Sequence, residues 1–224
     1  MALDILNIAF FQAVFQGRLI GPAKWYDMIY LASQSPRRKS LLEQLGVVYQ
    51  QLSCSIDEQP FSGEQPAGYV LRMATEKMEA GLKTLFDSDW KTAPVLAADT
   101  VVVLDGTIFG KPRDGHHAAE MLTALSGCTH EVMTAVAVTD GSVTETALSV
   151  SQVTISLLSE AQINDYVSTG EPFDKAGAYA IQGMGGAFVE RINGSYSGVV
   201  GLPLNVTVEL LERVGASYWQ HKSN

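Results

Sequence analysis

The stretch LASQSPRRKSLLEQLG, residues 31–46, places three basic side chains at the start of a predicted helix. Arg37, Arg38 and Lys39 directly follow a Ser-Pro pair. A helix N-terminus favours anions, because its first N–H groups lack intrahelical partners and its dipole is positive there. Guanidinium groups add bidentate contacts to phosphate oxygens. The pattern therefore predicts a phosphate-binding site in this segment.

A second set of polar residues flanks apolar, strand-like runs. Asp99 ends the run PVLAAD, which otherwise has the composition of a buried strand. A carboxylate there must be paired, protonated or metal-bound to offset its loss of hydration, or it simply satisfies a neighbouring turn. Glu58 follows another predicted strand, Lys77 lies on the preceding helix, and Lys111 follows the hairpin; taken singly, each is compatible with a solvated surface charge. Together they predict a site for phosphates and a divalent cation.

The composition limits the partners of such a site. The chain has 224 residues, 46% of them hydrophobic and 17% charged, with a formal net charge of −9. An acidic chain is a poor ligand for nucleic acid or an anionic membrane, so we expect neither partner and expect a local pocket for a small anion. Cys54 and Cys128 are too few for a disulfide framework or a cysteine zinc site, which indicates a reducing compartment.

The first 27 residues are treated separately from the rest. Their apolar run is shorter than the ~20 residues of a spanning helix, and it contains Asp4. We expect residues 1–27 to be an extension outside the fold, with Met28 as the natural start. The predicted domain covers 28–215, and 216–224 form a tail.

From Met28 onward, strand and helix patterns alternate as in an α/β protein. The predicted elements are a strand at 28–33, a helix from Pro36 to Gly46, a strand at 47–55, a helix over 67–85, a hairpin turning at Asp105-Gly106, a helix capped by Asp114, a hairpin turning at Asp140-Gly141, a helix with a Ser159–Gln162 capping box, and a helix over 203–214. Two other phosphate motifs fail. Lys111 precedes Pro112 rather than Ser or Thr, which excludes a Walker A loop, and GMGGAF lacks the context of a dinucleotide fingerprint.

Five separated blocks carry a resemblance to a known family. LASQSPRRKSLLEQLG, AADTVVV, GKPRD, SGCTHEVMTAVAV and GEPFDKAGAYAIQGMGGAFVERINGSYSGVVGLPL resemble, in order and spacing, the Maf family of nucleotide pyrophosphatases. The resemblance implies a two-lobed, mixed-sheet α/β fold related to inosine-triphosphate pyrophosphatases, with a central cleft. It also implies a cytoplasmic homodimer that hydrolyses a nucleoside triphosphate to the monophosphate and pyrophosphate, with Mg²⁺ or Mn²⁺ as cofactor.

The same resemblance assigns roles to individual residues. Asp99 matches the proton acceptor that activates water, and Glu58 and Asp99 match carboxylates near the cation. The positions that match phosphate contacts are Ser33, Arg38, Lys77 and Lys111. Positions linked to base choice match Arg37, Thr100 and Gln182, and they resemble the dTTP/UTP type rather than the 7-methyl-GTP type, which carries Trp and Glu in place of Arg37 and Gln182.

Two other functions stay open at this point. The chain can be a nucleotide-binding regulator of cell division and septum formation that acts without turnover, or a phosphatase that releases orthophosphate. The sequence also leaves open whether modified pyrimidine nucleotides are substrates.

Overall fold

The computed structural model describes residues 25–220 of the chain. Its strands are β1 (Ile29–Leu31), β2 (Tyr49–Gln51), β3 (Val95–Leu104), β4 (Thr107–Phe109), β5 (Thr129–Thr139), β6 (Thr144–Ile155) and β7 (Val189–Asn193). Its helices are α1 (Pro36–Gln44), α2 (Pro66–Phe86), α3 (Gly115–Leu125), α4 (Glu160–Ser168), α5 (Tyr196–Val200) and α6 (Leu204–Arg213). Three 3₁₀ turns, at Glu171–Asp174, Ala176–Ala178 and Met184–Phe188, lie between α4 and β7.

The strands form one seven-stranded mixed sheet in the order β2-β1-β3-β5-β6-β7, with β4 added to β3. β1 pairs in parallel with β2 and β3, and the remaining pairs are antiparallel. The long strand β3 turns into β4 at Asp105 and Gly106, whose φ values of 49° and 77° suit a tight hairpin. The mixed α/β class and the Asp105-Gly106 hairpin are confirmed.

Helices cover both faces of the sheet. Side chains along β3 point alternately to the two faces, so β3 contacts helices on each side. Val95, Ala97 and Val101 face the buried side of α2, while Leu96 and Ala98 face α1 and α6. A third cluster joins Val102 to residues of α3 and α4. The residues of α2 that the sequence predicts to face inward are all buried: Tyr69, Val70, Met73 and Met78.

The termini of the described region pack against each other. Tyr26 is 9% exposed, forms a parallel bridge with Ala216 and donates its backbone N–H to Gly215. Trp219 donates its backbone N–H to Leu45. Packing contacts therefore extend a few residues beyond 28 and 215, and the division into an extension, a domain over 28–215 and a tail stays a prediction. The predicted extension covers residues 1–27, of which 1–24 lie outside the described residues.

Within residues 25–220, no helix is both long and apolar enough to cross a bilayer.

Candidate active site

A buried ion pair lies at the centre of the sheet. Asp99 is in the middle of β3, and its side chain is 13% exposed. Lys77 reaches it from α2, with 2.6 Å between its Nζ and Asp99 Oδ1. The same Nζ lies 2.6 Å from Glu58 Oε1. The carboxylate of Asp99 is therefore paired, as its position in an apolar strand requires.

The charges around Glu58 keep it ionised. Burial alone raises the pKa of Glu58, but the hydrogen bond from Lys77 and the positive charges of Lys77, Lys111 and Arg38 outweigh it and lower the pKa below its ordinary value. Lys111 is exposed and lies after β4. The structure therefore places Lys77, Glu58 and Lys111 within one electrostatic environment.

The loop that carries Glu58 is anchored to α2. Tyr69 donates its hydroxyl to the backbone oxygen of Glu58 at 2.9 Å. Arg72 donates to the backbone oxygen of Gln59 at 3.1 Å and forms a 2.6 Å salt bridge with Glu64. The hydrogen bond from Arg72 lowers the pKa of Glu64 to about 2. Sequence reasoning missed these anchoring roles and treated Tyr69 only as a core residue.

Arg38 is held in a fixed orientation beside Asp99. Its Nε donates to Gly201 O at 2.9 Å, Nη1 to Ser33 Oγ at 3.2 Å, and Nη2 to Thr100 Oγ1 at 3.1 Å. Burial lowers the pKa of Arg38, and the charge of Asp99 opposes that shift. A guanidinium has five N–H donors, so one on each terminal nitrogen stays available for a further acceptor.

Thr100 is backed by a second buried threonine. Its Oγ1 lies 2.9 Å from Thr134 Oγ1, and Thr134 donates to Gly198 O at 2.8 Å. Thr134 is fully buried and lies directly opposite Thr100 in the register of β3 and β5. The sequence analysis missed Thr134, although the cross-strand register of two long strands is the signal that identifies it.

The predicted base-choice residues are not all brought together. Arg37 lies in the first turn of α1, and its Nη2 is 3.7 Å from Asp174 Oδ2. Gln182 is exposed, and its side chain makes no hydrogen bond within residues 25–220. Thr100 is partly buried with Arg38. The structure thus links Thr100 to the Arg38 cluster and leaves Gln182 on a separate turn.

Glu171 fixes the turn that follows Gln182. Its carboxylate accepts hydrogen bonds from the backbone of Met184 and Gly185, both at 3.0 Å, and from the hydroxyl of Tyr166 at 2.8 Å. A Cβ at position 183 would lie 2.2 Å from Glu171 Oε2, so only glycine fits there. The run GMGGAF, which lacks the context of a dinucleotide fingerprint, forms a close-packed turn here, and the part played by Glu171 was not predicted from the sequence.

The donor set fits a divalent cation only in combination with substrate. Among the described residues, no group of three or more His, Cys, Asp or Glu side chains is placed to hold a metal. Glu58 and Asp99 nevertheless converge on one ammonium. Mg²⁺ commonly binds through one or two carboxylates together with substrate phosphates and water. This carboxylate pair is therefore suited to that mode of binding.

The protein has a mixed α/β fold in which a buried lysine–carboxylate pair lies next to an oriented arginine. This arrangement is suited to a protein that binds a small anion. The model of the Maf-like protein family matches residues 28–214, and the chain belongs to this family.

Among its relatives, the dTTP/UTP pyrophosphatase of Salmonella typhimurium strain LT2 is 54% identical over 188 residues, which cover 84% of this chain and 93% of the relative. The dTTP/UTP pyrophosphatase of Escherichia coli O157:H7 is 52% identical over the same shares. A solved structure of the Ham1 protein of Staphylococcus aureus aligns with a TM-score of 0.39 and 15% identity, covering 57% of this chain and 71% of that one.

Proposed function

We propose that this protein is a nucleoside triphosphate pyrophosphatase that hydrolyses dTTP and UTP to the monophosphate and pyrophosphate. The observation that carries the proposal is the Lys77 ammonium held 2.6 Å from both Asp99 and Glu58. This arrangement combines a base, a fixed cation and a second carboxylate at one point of the sheet. Relatives at 52–54% identity are dTTP/UTP pyrophosphatases, which supports the choice of substrates.

Asp99 is the proposed general base. Lys77 holds its Oδ1, and Oδ2 makes no hydrogen bond to other described residues. Oδ2 is therefore available to accept a proton from water. As the water oxygen bonds to phosphorus, the phosphoanhydride bond breaks and pyrophosphate leaves with the bonding electron pair. Asp99 retains the proton until it is released to solvent.

The surrounding cations serve the phosphates. Arg38 presents its two remaining N–H donors in an orientation fixed by Ser33, Thr100 and Gly201. Lys111 adds an exposed positive charge just after the β3–β4 hairpin. Phosphoryl-type transfers depend mainly on positioning and charge neutralisation, so a preorganised guanidinium supplies a large share of the catalysis.

Glu58 and Asp99 would hold the Mg²⁺ or Mn²⁺ ion. A bound divalent cation supplies positive charge to the phosphate oxygens. We propose that the base is selected by Arg37, Thr100 and Gln182. The amide of Gln182 can both donate to and accept from a pyrimidine edge. We further propose a cytoplasmic homodimer as the working form, on the basis of the family resemblance.

The test is the identity of the products. The full chain is incubated with dTTP or UTP and Mg²⁺, and phosphorus NMR follows the products. We expect equal amounts of monophosphate and pyrophosphate, and loss of the reaction with EDTA. A diphosphate together with orthophosphate identifies a phosphatase instead. Binding without any product identifies a nucleotide-binding regulator.

A further inference from the structure

Lys175 is a mostly buried lysine that the proposed mechanism does not use. Its side chain is 14% exposed, compared with 17% for Lys77. Its Nζ pairs with the carboxylate of the preceding residue, Asp174, whose own side chain is 69% exposed. A buried ammonium requires a charged or polar partner. Lys175 thus depends on a carboxylate that is itself open to solvent.

Lys175 lies on a segment that contacts the surroundings of two predicted substrate-binding residues, Arg37 and Lys111. On one side, Asp174 also pairs with Arg37, at 3.7 Å. On the other side, Gly177 donates its backbone N–H to Gly110, the residue before Lys111, at 3.1 Å.

Gly177 fixes this segment against the sheet. Its φ is 71°, and a Cβ there would lie 2.9 Å from Val102. A side chain at this position would therefore force the turn away from β3. The segment that carries Lys175 is consequently held between the start of α1 and the β3–β4 hairpin.

We propose that Lys175 is a further phosphate-binding residue, and that the Asp174 carboxylate competes with the substrate's phosphates for both Lys175 and Arg37. This inference rests on the proposed function and names an additional contact in the same site. Asp174 is the exposed member of both ion pairs, so solvent and salt screen its charge and reduce what each pair contributes. A triphosphate carries several negative charges, so it displaces a single exposed carboxylate from the two cations.

Opposite effects of the two neighbouring residues distinguish this role from a structural one. If Lys175 binds phosphate, its removal weakens binding, whereas removal of the competing Asp174 charge strengthens it. If the pair only stabilises the turn, both substitutions have the same sign. The phosphate chain is common to dTTP and UTP, so the effect is equal for both substrates.

The experiment compares Lys175→Ala, Lys175→Arg and Asp174→Asn with Lys91→Ala, an exposed lysine before β3 that serves as the matched control. Steady-state kinetics are measured with dTTP and UTP, and inorganic tripolyphosphate is titrated into each full-length variant by calorimetry. We expect Lys175→Ala to raise KM and the tripolyphosphate Kd about tenfold, the effect of losing a charged hydrogen bond. Asp174→Asn should lower both severalfold, and Lys175→Arg should retain most of the binding.

Unchanged values for Lys175→Ala, or a weakening by Asp174→Asn that equals the weakening by Lys175→Ala, would overturn the inference. Circular dichroism melting confirms that each variant is folded before it is compared. The tripolyphosphate titration does not depend on turnover. A wild-type protein that releases no pyrophosphate therefore refutes the proposed function, while the titration still decides the role of Lys175.

Discussion

The two sides of the candidate site are built in different ways. On the strand side, Asp99, Lys77 and Arg38 lie on β3, α2 and α1, are mostly buried, and are fixed by hydrogen bonds of 2.6 to 3.2 Å. On the turn side, Asp174 and Gln182 lie on exposed segments between α4 and β7. Chemistry common to all triphosphates needs fixed geometry. Groups that recognise a particular nucleotide can lie on segments that adjust when it binds.

The adjacent arginines of α1 show this difference within one helical turn. Arg38 is directed into the sheet and donates to three separate oxygens, whereas Arg37 is 29% exposed and pairs at 3.7 Å with Asp174 on the turn side. Consecutive helix residues point about 100° apart, so two identical side chains reach different environments. Arg37 thus belongs to the exposed turn side of the site and Arg38 to the mostly buried strand side.

The largest expected effect is on the strand side, from Asp99→Asn. The substitution removes the proposed base at nearly constant volume, so we expect kcat to fall ~10²-fold or more, with KM within a few-fold. The matched control is Asp105→Asn in the hairpin turn, where the φ of 49° suits Asn. A variant at position 99 that retains most of its turnover would remove Asp99 from the reaction.

Arg38→Ala and Arg37→Ala compare the two sides directly. Hydrogen bonds to charged groups contribute about 1.5–3 kcal/mol, so losing Arg38 should raise KM, lower kcat and reduce kcat/KM about 30-fold. Arg37→Ala should have an effect several-fold smaller, because Arg37 is less tightly held. Equal losses in the two variants would contradict the distinction between the strand side and the turn side.

The turn side is anchored by a buried histidine, which makes stability depend on pH. His130 Nε2 lies 2.8 Å from the hydroxyl of Tyr179, and Nδ1 is buried without a hydrogen-bond partner among the described residues. Burial lowers the pKa of His130 to about 4, from 6.5. Below pH 6.5 the unfolded chain binds a proton at this residue that the folded chain does not, so stability falls as the pH falls towards 4.

We expect His130 to contribute about 2 kcal/mol to the loss of unfolding free energy between pH 7 and pH 5. Urea unfolding at the two pH values measures it. His130→Gln should show a correspondingly smaller dependence on pH. His116→Gln, at an exposed helix position, should behave like the wild type. An unchanged pH dependence in His130→Gln would show that other groups cause the loss.

The smallest effect is expected for Gln182→Glu. This change removes a donor and adds a charge, and an unpaired polar group costs about 1–3 kcal/mol. We expect kcat/KM for dTTP and UTP to fall ~10-fold, while activity on guanine triphosphates falls less or rises. Gln44→Glu, exposed at the end of α1, is the control. Parallel losses on both classes of base would transfer specificity to Arg37 and Thr100.

Much of the strand side could be predicted from the sequence. The apolar run before Asp99 indicated a buried strand, and the spacing of Tyr69, Val70 and Met73 indicated the buried face of α2. Those two elements position Lys77 against Asp99. Local periodicity carries this information, because each element is long enough to show it.

The turn side could be predicted much less well. The segment between α4 and β7 has no periodic pattern, and its 3₁₀ turns were not predicted from the sequence. The two short elements that follow it, β7 and α5, were not predicted either. Some of the segment's contacts join residues far apart in the chain, such as Arg37 with Asp174. The bond from Arg38 to Gly201 joins residues 163 positions apart. No local pattern specifies which distant partner a side chain will meet.

The carboxylate of Glu171 joins the two ends of the segment 171–185. Because Glu171 accepts hydrogen bonds from the backbone of Met184 and Gly185, the two ends of the segment 171–185 are held together and the segment forms one loop. The contacts that join this loop to the rest of the protein include Arg37–Asp174, Gly110–Gly177, His130–Tyr179 and the hydrogen bond from Ala180 to the Tyr166 hydroxyl. If the proposed role of Gln182 in base choice is correct, exchanging this loop for another that keeps these contacts would alter base preference and leave β3 unchanged.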